Sequence, residues 1–528
     1  MTTVDVPAAA AVSARQIRRQ IRDYQNEQRS IVKIAGAIYY AIVVVAIALG
    51  VFGQPIFGFF GVVLSGTTAA AGVARAYSSV VAPAATLALV GATLRVLLRI
   101  GPVWLPAVEV AWLLRAPVRR AGLFLARLLA AAIVTALFMG TVASIVAAVS
   151  PPITAIGLVA VCALGVATGL LLVAVGVLLQ FAGETAERIG GVVGGVLAGL
   201  GVIASATILV PSTSVIAAVR DVLDWSGPWG WFALAGHGGA LAIGGLGAAV
   251  VLAVAAIVAL VFALPRVRLG AVADASARTA IIVGAATVLD PGALAPAAEA
   301  RRVGRRRPRG RLPKWRGLPA FIGQDLLVLR RRLDRAAAAV VIALGPGLAL
   351  ALTGGGRASA IFAGLVLLIC GTWAAGLTTG PAGREANAAG LSRLLAMPAG
   401  QLRTVRLVLP IVVAVLWGLA TFAVLGASFS GSMLMWLGLG VVAAPGWAVG
   451  ALRAASRGPV RNDLPVLSTP MGLIPTGPLV WLASGLDLAA LLTLPAWVAV
   501  GLGTVNSQLL LGQLVFSVAG AILYARRP

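Results

Sequence analysis

The 528-residue chain is 60% hydrophobic and only 11% charged, with a mean hydropathy of +1.02. Soluble domains carry roughly twice that share of charge, so a water-soluble enzyme, a nucleic-acid-binding protein and a secreted disulfide scaffold are excluded. The net charge of +25 sits in arginine blocks between apolar runs, and an all-α integral membrane protein is expected.

The first 30 residues are polar, too long and too charged for a cleavable signal. Arg15, Arg18, Arg19 and Arg22 alternate with Ile17 and Ile21, which are four apart on one helical face, so 1–30 is expected to hold a cytoplasmic interfacial helix. A bilayer crossing needs about 20 apolar residues. Spans are expected at roughly 31–53, 79–99, 123–149, 153–181, 189–210 and 238–264. A second set follows at roughly 336–353, 357–380, 406–428, 433–454, 486–503 and 506–524, giving about twelve. The stretch 54–78 is apolar enough to dip into the membrane, and Pro-rich 462–485 reads as interfacial.

With the N-terminus inside, arginines gather in the cytoplasmic loops, and Arg75, Arg220 and Arg357 are the few basic residues outside. The chain then divides into halves at 31–264 and 336–528, joined by a basic cytoplasmic linker, 265–335, with a second interfacial helix carrying Arg330, Arg331 and Arg332. Anionic lipid headgroups are the expected partner of these arginines, and no nucleic acid is.

The halves read as two copies of one parallel six-span unit. After the second span comes Gly101-Pro102, then Glu109, then Leu113-Leu114-Arg115-Ala116-Pro117-Val118-Arg119-Arg120. After the eighth comes Gly380-Pro381, then Glu385, then Arg393-Leu394-Leu395-Ala396-Met397-Pro398, followed by Gln401 and Arg403. Proline suits the first turn of a helix, so each copy reads as a short helix, a break, and a new helix running into the membrane.

At these residues the chain resembles the permease subunits of ABC-2-type exporters, in a tandem form similar to permeases of high-GC Gram-positive bacteria. Arg127 stands where that family often has a basic residue at the start of the third span; the second copy has Val408 there, with Arg406 two positions earlier. The resemblance implies a bacterial inner-membrane permease that moves lipophilic small molecules outward between its halves. It implies two copies of a separate ATP-binding subunit as partners, coupled through Glu109, Arg115, Pro117, Arg119, Arg120, Glu385, Arg393, Pro398, Gln401 and Arg403.

The only lysines, Lys33 and Lys314, lack a P-loop context, so ATP and Mg are expected on the partner and no catalytic residue or cofactor in this chain. Cys162 and Cys370 lie inside apolar runs and His237 is the only histidine, so no metal site is expected. Asp487 is expected at a membrane edge, and Arg95 and Arg99 to reach the cytoplasmic face. Gly190, Gly191, Gly194, Gly195, Gly199 and Gly201 mark the fifth span for close packing or sliding. In 212–223, Val215, Val219 and Val222 share one face of an expected outer amphipathic helix, ahead of an interfacial Trp225, Trp229 and Trp231. Two rivals stand beside the exporter. A major-facilitator-type transporter usually has Gly-x-x-x-Asp-Arg between spans two and three, absent here; a non-transport membrane scaffold is not excluded.

Overall fold

The computed structural model describes residues 71–105, 109–110, 120–148, 154–209, 213–236, 238–263, 268–287, 315, 317–330, 333–352, 357–387, 398–429, 431–458, 460, 466–469 and 472–526. The expected first span and N-terminal interfacial helix lie outside them. The described helices are α1 (Ala71–Ile100), α2 (Arg120–Ala148), α3 (Ala155–Ala182), α4 (Glu184–Ser205), α5 (Thr213–Trp225), α6 (Pro228–Gly236), α7 (Gly239–Ala263) and α8 (Leu269–Thr287). They continue as α9 (Leu318–Arg330), α10 (Leu333–Ile342), α11 (Gly345–Leu352), α12 (Arg357–Ala375), α13 (Gly380–Asn387), α14 (Ala399–Ser428) and α15 (Met433–Ala455). A hairpin of β1 (Val466–Thr469) and β2 (Gly472–Pro475) precedes α16 (Thr476–Ala483), α17 (Leu486–Leu492), α18 (Leu494–Leu502) and α19 (Ser507–Arg526).

Among the described residues, nine helices are long and apolar enough to cross a membrane: α1 to α4, α7, α12, α14, α15 and α19. The chain is a helical, multi-pass membrane protein. Two further expected spans are broken. Residues 336–353 split into α10 and α11 ahead of Pro346, and 486–503 into α17 and α18 at Thr493, ahead of Pro495. Proline lacks the N–H that would continue the ladder. The Pro-rich stretch expected at an interface holds the hairpin, with Val466 opposite Pro475 and Thr469 opposite Gly472.

The chain forms two compact units, the first built on 82–198 and 220–284, the second on 54–81, 199–219 and 285–528. In the first, α3 lies between α2 and α7. Its Gly165 and Gly169 admit the α2 backbone; a Cβ at Gly169 would stand 2.7 Å from Ala136 Cα. On α7 the buried seam is Ala242, Ala249, Ala256 and Ala263, one every seventh residue. The large side chains Ile243, Val250, Val251, Val254 and Ile257 point outward and are exposed. Water would select the opposite arrangement. Lipid is as apolar as the interior, so small residues inside gain contact and large ones outside lose nothing.

The glycines of α4 meet α1 closely: a Cβ at Gly194 would lie 2.7 Å from Gly91 O, and one at Gly195 2.6 Å from Arg95 Nη1. The outer-loop helix forms as α5, but its buried residues are Ile216, Leu223 and Asp224, while Val215 and Val222 are exposed and Val219 is half-buried. The two end residues of the valine stripe are therefore not the ones that pack.

In the second unit, α14 and α15 cross where Gly418 and Gly440 touch; a Cβ on Gly418 would meet Gly440 O at 2.5 Å. α12 lies against both helices, and α19 packs on α15. Gln513 of α19, fully buried, mends the break between α17 and α18. Its amide donates to Leu492 O at 2.7 Å, and its carbonyl accepts from Ala496 N at 3.0 Å.

Candidate functional site

The short helix α13 begins at Gly380-Pro381, directly after a 3-10 turn that ends α12. Proline near its start costs no hydrogen bond. Glu385 lies on this helix, and Arg406 lies two turns into α14. Arg406 is 3% exposed, buried where a long apolar helix begins.

Its guanidinium is saturated. Nε donates to Glu385 Oε2 at 3.3 Å and Nη2 to Glu385 Oε1, a two-toothed contact. Nη1 donates to Asp325 Oδ1 and, at 3.4 Å, to Phe321 O. Nη2 also donates to Gln324 Oε1 at 3.0 Å, and the cation lies 5.0 Å from the Phe321 ring centre. One arginine thus ties together the helix before the span (α9), the helix with the acid (α13) and the span itself (α14).

Asp325 is 1% exposed, and its Oδ2 has no partner. Burial pushes its carboxyl up to about 6, against the attraction of Arg406, with Glu385 adding repulsion. Burial is thus the main reason that Asp325 resists ionisation although a guanidinium stands beside it.

The first unit holds an acid–arginine contact of its own, a looser one. Arg127, two turns into α2, stands 3.9 Å from Glu109 and 4.9 Å from the Trp104 ring centre. The two pairs align as Glu109–Arg127 and Glu385–Arg406. Counting from the prolines sets Val408 opposite Arg127; the residue that pairs with Glu385 is Arg406, two positions earlier.

In the first unit the turn after α1 is held by side chains instead. Gly101, at φ +88°, closes α1, and Ala275 of α8 packs so near that a Cβ on Gly101 would meet it at 2.5 Å. Gln180 Oε1 accepts from Val103 N at 3.2 Å, and its Nε2 donates to Val103 O at 2.9 Å. Ser276 Oγ accepts from Leu105 N at 2.8 Å. Arg278 donates to Leu98 O at 3.3 Å and pairs with Glu187 at 3.2 Å. The first part of segment 265–335 is therefore a helix packed on its own unit.

Of the residues expected to couple, Arg115, Pro117, Arg119 and Arg393 lie outside the described residues, as do Arg15, Arg18, Arg19, Arg22, Arg331 and Arg332. Arg120 opens α2. Pro398 caps α14, Gln401 is exposed and Arg403 half-buried on its first turns, and Arg330 ends α9, exposed. Asp325 and Arg406 are legible as charges and Gln324 as a polar residue, but nothing in the spacing marks them as one cluster. Gln180, Ser276 and Gln513 carry no local signal beyond being polar among apolar neighbours.

No curated protein and no solved structure matches this chain. A family model matches residues 71–465, from the start of α1 to just before β1, and so spans most of the chain. The chain belongs to the DUF6297 family, a family of unknown function.

Proposed function

We propose that this chain is the permease subunit of an ATP-binding-cassette exporter in a bacterial cytoplasmic membrane, moving lipophilic small molecules outward. Two copies of a separate ATP-binding subunit would drive it, holding the ATP and Mg, so the chain is not an enzyme by itself. In this reading about twelve spans form two parallel repeats with both termini inside. Such a machine needs a cytoplasmic element that a soluble ATPase can push and that does not yield before the membrane helices move.

The observation that carries the reading is the Arg406 knot. It fuses α9, α13 and α14 into one body, so a displacement of α13 passes to a membrane helix without a soft joint. Arg384, exposed on α13, and Gln401, exposed on α14, give that body a polar rim for a protein contact. The Glu109–Arg127 pair supports a second, looser copy, and one family model runs across both.

Gentle purification from native membranes tests this: an ATP-binding-cassette subunit is expected to come with the chain, and the chain alone to show no ATP turnover. Charge reversal by Arg120→Glu with Arg403→Glu is expected to release the partner or uncouple its ATPase, because like charges across an interface repel. A chain that purifies intact with no such subunit, and whose reversals change nothing, would not be this permease.

A further inference from the structure

The Arg406 cluster holds more acid than it can neutralise. A guanidinium has five N–H donors, and all are committed: two to Glu385, one to Asp325, one to Gln324 and one to Phe321 O. With both acids ionised, two anions face one buried cation; with one proton taken up, the cluster is neutral. Glu385 has the two-toothed contact and a side chain that is 17% exposed, so its charge is the better served. Asp325 has one N–H of Arg406 and is shut off from solvent, which makes it the acid that takes the proton. Its carboxyl, raised to about 6 by burial, agrees with that assignment.

The other charges nearby do not remove the imbalance. Arg384 of α13 acts on Asp325 but is exposed. Among the elements packed on α9, α14 also carries Arg403, α10 carries Asp334 and Arg335 in its first turn, and the 3-10 turn Gly376–Thr378 carries no charge. Helix α9 itself ends at Arg330. Phe321, Gln324 and Asp325 stand at i, i+3 and i+4, one face of α9, and Arg406 holds the helix through all three. A charge that appears on Asp325 therefore acts at the joint between α9 and α14.

We propose that this cluster is a proton-sensitive joint, closed with a proton on Asp325 and loosened when that carboxyl ionises and draws α9 off α14 into water. In the loosened state Asp325 is hydrated and titrates near the usual 3.8; in the closed state it titrates near 6. The closed state thus holds the proton more tightly, and acid favours it. The preference for the closed state is full below about pH 4 and falls about a hundredfold as pH rises through 6. A looser joint passes less of an ATPase stroke to α14, so coupling is strongest in acid. That the joint regulates transport rests on the exporter reading; that it loosens with rising pH does not.

The test is a distance measured in the purified full chain in detergent. Nitroxide labels go on Leu318→Cys, at the exposed start of α9, and on Thr404→Cys, exposed on α14, in a background of Cys162→Ala and Cys370→Ala. Pulsed electron resonance is expected to give a short and a longer separation, the longer one gaining population as pH rises from about 4 to about 8. Asp325→Asn, permanently neutral, is expected to keep the short separation throughout. Glu385→Gln removes the competing anion and is expected to move the change to lower pH without abolishing it, because burial of Asp325 remains. A distribution that does not change with pH overturns the joint, as does a change in the opposite sense or one that Asp325→Asn retains. A transition that stays at the wild-type pH in Glu385→Gln overturns it too. If the labels respond and no ATP-binding subunit co-purifies, the exporter reading falls and the joint stands. If the subunit co-purifies and the labels do not respond, the joint falls alone.

Discussion

Arg406 is the residue on which the largest single effect should fall. Arg406→Leu strands Asp325 and Glu385 in a buried place, and breaking a buried pair in this way costs about 3–5 kcal/mol. Thermal unfolding in detergent should show a loss of that order, whereas Asp325→Asn should be mild, since burial already favours the neutral carboxyl. The pH dependence follows from the same residue. Its folded value of about 6 lies above the usual 3.8, so its contribution to stability is full below about pH 4 and is lost as pH rises through 6. Wild type should therefore lose stability relative to Asp325→Asn between about pH 4 and pH 7; a difference that is flat over this range would remove Asp325 as the titrating group. Gln513→Leu tests the other polar contact in the membrane. It leaves Leu492 O only the longer contact from Ser517 Oγ, at 3.4 Å, and Ala496 N without an acceptor, at about 1–3 kcal/mol for the orphaned N–H. Gln513→Glu should recover only the acceptor half.

Helices in this protein are joined by what they lack. The Ala242, Ala249, Ala256 and Ala263 seam of α7 and the Gly165 and Gly169 positions of α3 let backbones approach, and dispersion contact follows from closeness. Ala249→Leu forces the seam apart and should destabilise by about 1–3 kcal/mol as overpacking, while Val250→Leu, one residue on and facing outward, should change little. Equal melting temperatures for the two variants would show that α7 does not pack through its alanines. The periodic apolar pattern announced these helices but not which stripe is inward. In α5 two of the three valines that share a face are exposed, because hydropathy does not separate lipid from protein interior as surroundings.

At the scale of the whole molecule, sidedness comes from arginine placement. Ser214→Cys is expected to react with an impermeant thiol reagent from outside intact cells, and Ala277→Cys is not. Ala277 is the better inside position than its neighbour Ser276, which is buried against Leu105 and would stay silent on either side. The reverse labelling pattern would invert the proposed topology.

Composition and run length alone determined that this chain is a multi-pass helical membrane protein and where most of its helices lie, because a bilayer requires backbone bonds to close within each crossing helix. Sequence also marked the acid-bearing segments at Glu109 and at Glu385. Tertiary structure decided what those segments hold. Asp325, Glu385 and Arg406 are far apart in the chain, and only the packing of α9, α13 and α14 makes them one cluster with one net charge to share. The same is true of Gln180 with Val103 and of Gln513 with the break at Thr493. A hydrogen bond is decided over an ångström, and residue spacing fixes such distances within a helix but not between helices.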